Sequence, residues 1–559
     1  MAQYSLGQYQ TAIETTAQNV TANNIIQRIW DMDHTVWADD PEEIMNRLDW
    51  LTSATELKDK LSDIQAMVTS VQADGYTDVL LLGMGGSSLA PEVFSRTFGA
   101  AEGFLSLEIV DSTDPHAILY HHNRLDLSKT LFIVATKSGG TAETLSAFKY
   151  FYNQTAELVG ADAAGAHFVA ITDPGSKLVT LAEKFHFRAT FLNNPNIGGR
   201  YSVLSHFGIV PASLLGINVE TLLDRAVTMA NACRNTTVSE NDGAYIGIII
   251  GELANQGRDK LTFLSSPAIE SFGDWVEQLI AESTGKVGKG ILPVVTEPSL
   301  EIENYGDDRV FVHLRLDDTH DVSIKALKDA GHPVIELAIT DSYDLGGQFF
   351  LWEFATAIAG HVMGIHPFNQ PNVEAAKISA RAMITEYQEK GQLPQTDPIL
   401  ITEGVQVYGD IQAGSLSEVF DQFLAMAGDN SYIALQAYLP PSPHVTEALT
   451  ALREALLVRT HLATTQGFGP RFLHSTGQLH KGDAGNGLFI QFSCNPHKDV
   501  AIPDEAGKAG SSMSFDVLKM SQTLGDGQAL QNATPARPVI RFHLGEDVAN
   551  TLQKIIAAV

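Results

Sequence analysis

At 559 residues, 44% of them hydrophobic and 18% charged, the chain has the composition of an ordinary globular protein of about three or four domains. Its formal net charge of −30, from 66 acidic against 36 basic residues, argues against nucleic acid or anionic lipid as a partner, because both need clustered Lys and Arg. Cys233 and Cys494 are the only cysteines, too few for a disulfide framework or a thiolate metal site, and a reducing, cytoplasmic setting is expected.

"MAQYSLGQYQTAIETT" lacks the basic start and apolar core of a signal peptide, and the richest apolar run, "FATAIAGHVMGIHPF", is broken by His361, His366 and Pro367. Residues 1–72 read as a helical segment, expected to pack across the first sheet. From 73 to 235 the pattern alternates strand and helix. "DVLLLGM", "LSLEIVD", "LFIVATK", "HFVAITD" and "RATFLNN" are five strand candidates, which predicts a parallel sheet with helices on both faces. A second run of this kind covers 236–392, through "KLTFLSS", "ILPVVTE", "RVFVHLRL" and "PVIELAI", and ends in two helices near 348–390. "KGQLPQTDPIL" marks a boundary. Residues 393–559 form a third α/β region, with strand candidates "YIALQAYL", "GLFIQFS" and "PVIRFHL".

Five segments carry chemistry. In "LLLGMGGSSLAPEVF" the glycines, Gly86 among them, let backbone approach an anion, and Ser87 or Ser88 can cap the following helix while offering a hydroxyl. A dinucleotide fingerprint with Asp111 on the ribose is one reading, weakened by Ser88 at the sixth position; a tight turn with a capping serine is another. "ATKSGGTAETL" repeats the strand–loop–helix junction: Ser138, Gly139, Gly140 and Thr141 lie where helix N–H groups are unpaired, with Lys137 beside them and Thr144 one turn on. Two such loops on one sheet suggest a small phosphate ester. "IGGRYSVLSHF" places Arg200 before an apolar stretch, as a buried ion-pair partner or a ligand contact. In "EQLIAESTGKVGKG", Gln278 and Glu282 share a helix face; at a helix C-terminus the dipole disfavours the Glu282 charge, as a general base requires. "HPFNQPNVEAAK" presents Gln370 before a helix and Lys377 about two turns along.

In this order, "GMGGSSL", "TKSGGTAET", "GGRYS", "ESTGK" and "FNQPNVEAAK" resemble the glucose-6-phosphate isomerase family, with the specific likeness running from about 77 to 380. The whole chain is most similar to the long form of this isomerase that occurs fused behind a transaldolase. No transaldolase module precedes it, so isomerase activity alone is expected. The resemblance implies two sugar-isomerase (SIS-type) doubly wound domains and a homodimer. It also implies that Ser87, Ser138, Thr141 and Thr144 hold phosphate, with Lys137 in the same loop, and that Gly86 is a substrate-binding residue. Gly199 and Arg200 would face the intermediate, Gln278 would position substrate, and Glu282 would be the base. Gln370 and Lys377 would complete the site. The family's ring-opening histidine finds its nearest likeness in "LHSTGQLHKG", where His480 is the first choice and His474 the second.

An aldose–ketose isomerase needs a base at C2, a cation for the enediolate and a histidine able to give and take the ring-opening proton. No metal or cofactor is required. The alternatives are a dual glucose/mannose phosphate isomerase and a non-catalytic sugar-phosphate sensor on the same sheet; a nicotinamide-dependent oxidoreductase is a further rival.

Overall fold

Continuous apolar runs flanked by glycine and helical stretches become strands buried on both faces. The computed structural model describes residues 2–298, 301–545 and 547–559. In the first sheet, five parallel strands run in the order Ser106–Val110, Asp78–Leu82, Thr130–Ala135, Phe168–Thr172, Ala189–Leu192. Successive side chains serve different cores. Leu81 and Ile133 join the large central one, whereas Leu80, Leu82, Phe132 and Val134 pack beneath Phe148 and Phe151 of the helix Ala142–Val159. All five predicted strands form.

The second sheet has the order Gln3–Ser5, Val334–Ala338, Arg309–Arg315, Lys260–Ser265, Leu292–Val294. Its last four strands are mutually parallel. The chain's first strand is antiparallel on the edge, pairing Gln3 to Glu336 and Ser5 to Val334. The expectation of a wholly helical 1–72 is corrected here. A three-residue edge strand carries too little periodicity to read, and its stability comes from a partner more than 300 residues away. The segment that follows it packs on helices of the central core: Trp30 Nε1 donates to the Cys233 carbonyl, at the end of Val219–Ala232, at 3.0 Å, and Trp37 Nε1 to that of Ala357, in Leu345–Met363, at 2.8 Å.

The third sheet runs Leu400–Thr402, Val405–Tyr408, Val539–Leu544, Gly487–Cys494, Tyr432–Tyr438, Ala463–Phe468. Three of its strands are the predicted ones. Ala463–Phe468 ("ATTQGF") is too polar to read as a strand, and part of what holds it is buried Arg453, which donates to the Thr464 carbonyl at 2.6 Å and to the Val295 carbonyl, beside the second sheet, at 3.2 Å. From this region the helix Phe515–Gln531 reaches the first sheet, where buried Lys519 pairs with Asp114 at 3.1 Å. Among the described residues, no helix is long and apolar enough to cross a membrane.

Candidate active site

The turn after Thr130–Ala135 leaves the start of Ala142–Val159 open. Thr141 is the N-cap residue, yet its hydroxyl makes no cap bond and meets the Thr136 hydroxyl instead, at 2.9 Å. The first-turn N–H groups therefore face outward with the helix dipole behind them, which suits an anion. Ser138, Gly140 and Thr141 line a cavity of about 300 Å³, at the lower end of small-molecule sites. Thr144 is buried and its hydroxyl meets no partner among the described residues. Lys137 departs from expectation. Its ammonium is committed to Asp173 and to the Pro195 carbonyl, so it braces the turn from the side and does not line the cavity.

The first glycine loop is a packing surface for the other motifs. A Cβ on Gly86 would sit 2.0 Å from the Gly199 carbonyl oxygen, and one on Gly85 would sit 2.8 Å from both Gln278 Nε2 and the His474 carbonyl. Only glycine permits the Gly199–Arg200 turn, the Gln278 helix and the 474 segment to converge there. The dinucleotide reading fails on Asp111, whose carboxylate accepts from Ser88 Oγ at 3.2 Å and from Arg471 at 3.0 Å.

Arg200 is buried and fully engaged. It donates to Ser283 Oγ (2.8 Å), Gln370 Oε1 (3.0 Å) and the carbonyls of Pro367 (2.7 Å) and Asn369 (3.1 Å), and its Nη1 lies 3.4 Å from Glu282. Glu282 lies in the last turn of the helix Phe272–Thr284, and Gln278 donates to it at 3.2 Å and to the His474 carbonyl at 2.7 Å. Lys286 grips the same 367–370 segment through Asn369, and burial, then the Arg200 charge, pushes its amine well below the usual lysine range.

On the other side of the 474 segment, His474 Nε2 meets Glu143 Oε1 at 2.9 Å. Both line the cavity, with Lys377 and Gln522. Burial alone would push the Glu143 carboxyl up; the His474 ion pair and hydrogen bond and the Lys377 charge outweigh it and hold the group below the usual range. An ionised Glu143 only accepts, so the Nε2 that meets it carries a hydrogen, and His474 Nδ1 has no protein partner among the described residues. His480, the first choice from sequence, is corrected. It is buried among Tyr432, Phe472 and Phe489, away from the cavity, and burial, then the Lys481 and Arg537 charges, drives its pKa well down, so it stays neutral.

Three participants escaped the sequence reading. Glu143 looked like an ordinary first-turn acid. Gln522 sits in a helix with no motif. Arg471 anchors the turn Arg471–His474 through Glu92 and Asp274 (3.6 Å), on the helices Leu89–Phe98 and Phe272–Thr284, and through Asp111 (3.0 Å), just after the strand Ser106–Val110. The sequence signal available was "RFLHSTGQ", an arginine one helical turn before a histidine.

Residues 35–297 match the family described as phosphoglucose isomerase. A glucose-6-phosphate isomerase of Rubrobacter xylanophilus is 30% identical over 361 residues, covering 55% of this chain and 82% of that protein. The chain belongs to the phosphoglucose isomerase family. A second glucose-6-phosphate isomerase, from Prochlorococcus marinus, is 26% identical over 428 residues, or 68% of this chain and 78% of that one. The fold agrees: a crystal structure of a glucose-6-phosphate isomerase from Chlamydia trachomatis superposes with a TM-score of 0.59 at 18% identity, covering 69% of this chain and 89% of that one. A hypothetical protein from Thermus thermophilus gives a TM-score of 0.58 at 22% identity, covering 68% and 99%. Within the phosphoglucose isomerase match lie both loops, Arg200, Gln278 and Glu282. Gln370, Lys377 and His474 fall beyond residue 297 and are placed by geometry.

Proposed function

We propose that this phosphoglucose isomerase family member interconverts glucose 6-phosphate and fructose 6-phosphate, with the reacting groups divided by the 474 segment. The phosphate sits on the open N-terminus of Ala142–Val159, among Ser138, Thr141 and Thr144, with Lys377 on the far wall. Gly86 and Ser87 close the other end. For ring opening, the C1–O5 bond breaks, the anomeric hydroxyl loses a proton and O5 gains one. His474 Nδ1 takes the first and returns the second, while Glu143 stabilises the transient imidazolium. Glu282 then removes the C2 proton, the hydroxyl proton passes from O2 to O1 within the enediolate, whose negative charge the nearby Arg200 cation stabilises, and Glu282 returns its proton to C1. Positioning by Gln278 and Gln370 keeps the reacting carbons within reach.

The observation that carries this reading is the pair of hydrogen bonds at His474: its ring meets Glu143 in the cavity, and its carbonyl accepts from Gln278 beside Glu282. Incubation with fructose 6-phosphate, without added metal or nicotinamide, is expected to yield glucose 6-phosphate. A parallel incubation with mannose 6-phosphate separates the dual isomerase, and no product from either would favour the sensor. From the resemblance we also infer a likeness to the long form that occurs fused behind a transaldolase, and a cytoplasmic homodimer. The division into 1–72, 73–235, 236–392 and 393–559 belongs to the same proposal, supported by one sheet in each of the last three.

A further inference from the structure

Glu143 Oε1 accepts two hydrogen bonds: one from His474 Nε2 at 2.9 Å, the other from Gln522 Nε2 at 2.7 Å. An ionised carboxylate only accepts, so Gln522 must turn its NH₂ toward it and its oxygen away. That oxygen accepts from the Thr113 hydroxyl at 2.8 Å, and both Thr113 and Gln522 are buried, so both ends of the amide are committed. Lys519, three residues earlier on the same helix face, pairs with Asp114. The helix Phe515–Gln531 thus grips positions 113 and 114 at the edge of the first sheet with two buried side chains, and its third contact is Glu143.

We propose that Gln522 is a positioning residue for ring opening: it fixes the Glu143 carboxylate, which in turn holds His474 with its proton on Nε2 and Nδ1 free to exchange protons with the sugar. Without it, Glu143 keeps one side-chain donor and gains rotational freedom about its side chain, and the histidine loses its fixed orientation. Both ends of the Gln522 amide are committed to Glu143 and Thr113, and its hydrogen bonds do not reach the Arg200–Glu282 cluster, so affinity for an acyclic sugar phosphate is expected to be little changed by its loss. This inference rests on the assignment of His474 to ring opening.

The test uses the full chain and two readouts. One is the anomerisation of α-glucose 6-phosphate, which is ring opening and closing alone. The other is competitive inhibition by erythrose 4-phosphate, whose esterified O4 prevents it from cyclising. In Gln522→Leu, anomerisation is expected to fall at least about tenfold while the inhibition constant stays within about twofold. Thr113→Val, which frees the amide without removing it, is expected to lower anomerisation in the same direction by a smaller factor, and serves if Gln522→Leu does not fold. Unchanged anomerisation in the folded variants, or an equal loss in inhibitor affinity, overturns the role. His474→Ala run alongside separates the two layers. If it anomerises normally, the underlying ring-opening assignment fails; if it does not while Gln522→Leu does, only the positioning role fails.

Discussion

Glu143 and His474 stand 331 residues apart in the chain and share a 2.9 Å hydrogen bond at the wall of the cavity. The contact joins the first turn of a helix in the first sugar-isomerase sheet to a turn of the third α/β region. It brings that region into the wall of the cavity beside the first sheet.

The two histidines of "LHSTGQLHKG" should therefore behave differently. His474→Ala is expected to lower kcat on glucose 6-phosphate by about 10²–10⁴, the range of a positioned acid–base group. His480→Ala should leave kcat per folded molecule unchanged and lose about 1–3 kcal/mol of stability through the space vacated among Tyr432, Phe472 and Phe489. Steady-state kinetics with thermal melts of both variants check this, and the reverse pattern would restore His480.

Arg471→Met removes the cation shared by Glu92, Asp111 and Asp274 and strands buried carboxylates. A loss of about 3–5 kcal/mol is expected in urea unfolding. Any folded fraction should show reduced anomerisation, because the turn that carries His474 has lost its anchor.

Lys137→Met tests a motif residue that the structure removes from the phosphate. With its ammonium on Asp173 and the Pro195 carbonyl, its loss should reduce stability and leave KM for the sugar phosphate within about threefold. A far larger rise in KM, with stability intact, would return Lys137 to the anion.

The acidic side of the Arg471 cluster gives a pH dependence. Burial, then the Asp274 charge, pushes the Glu277 carboxyl up to about 8; Arg471, Arg453 and the Ser475 hydroxyl oppose this. Burial raises Asp274 to about 6 despite Arg471, with Glu92 and Glu270 adding to the rise and Arg96 opposing it. The folded state thus keeps protons that an unfolded glutamate, with a pKa of about 4.3, has released. Stability from this cluster falls as pH rises from about 4.3 through about 8. Glu277→Gln should narrow that fall, so that its urea midpoint exceeds the parent's more at about pH 9 than at about pH 5. Parallel curves would contradict the assignment.

The sheets were legible because their strands are continuous apolar runs, and the loops because glycine and small hydroxyl residues at a strand–helix junction have few other uses. Arg200, Gln278 and Glu282 could be read from local context, and the structure places Glu282 beside the other two. What stayed hidden depends on contacts between distant segments. Lys137 looks available until Asp173 folds beside it, and Asp111 looks free until Arg471 arrives. His480 has the better local context of the two histidines, yet the helix Gly477–Gly482 turns it into the core while the preceding turn delivers His474 to the cavity. Polar strands such as Ala463–Phe468 and a three-residue edge strand carry no periodicity of their own.

Proton exchange at C2 during isomerisation in D₂O tests the central claim most directly. With fructose 6-phosphate and no added metal or nicotinamide, the parent chain should form glucose 6-phosphate carrying deuterium at C2. Glu282→Gln should bind the sugar phosphate with similar affinity and incorporate none. Deuterium at C2 in the Glu282→Gln product, or turnover that depends on nicotinamide, would contradict a carboxylate-driven enediolate at this site.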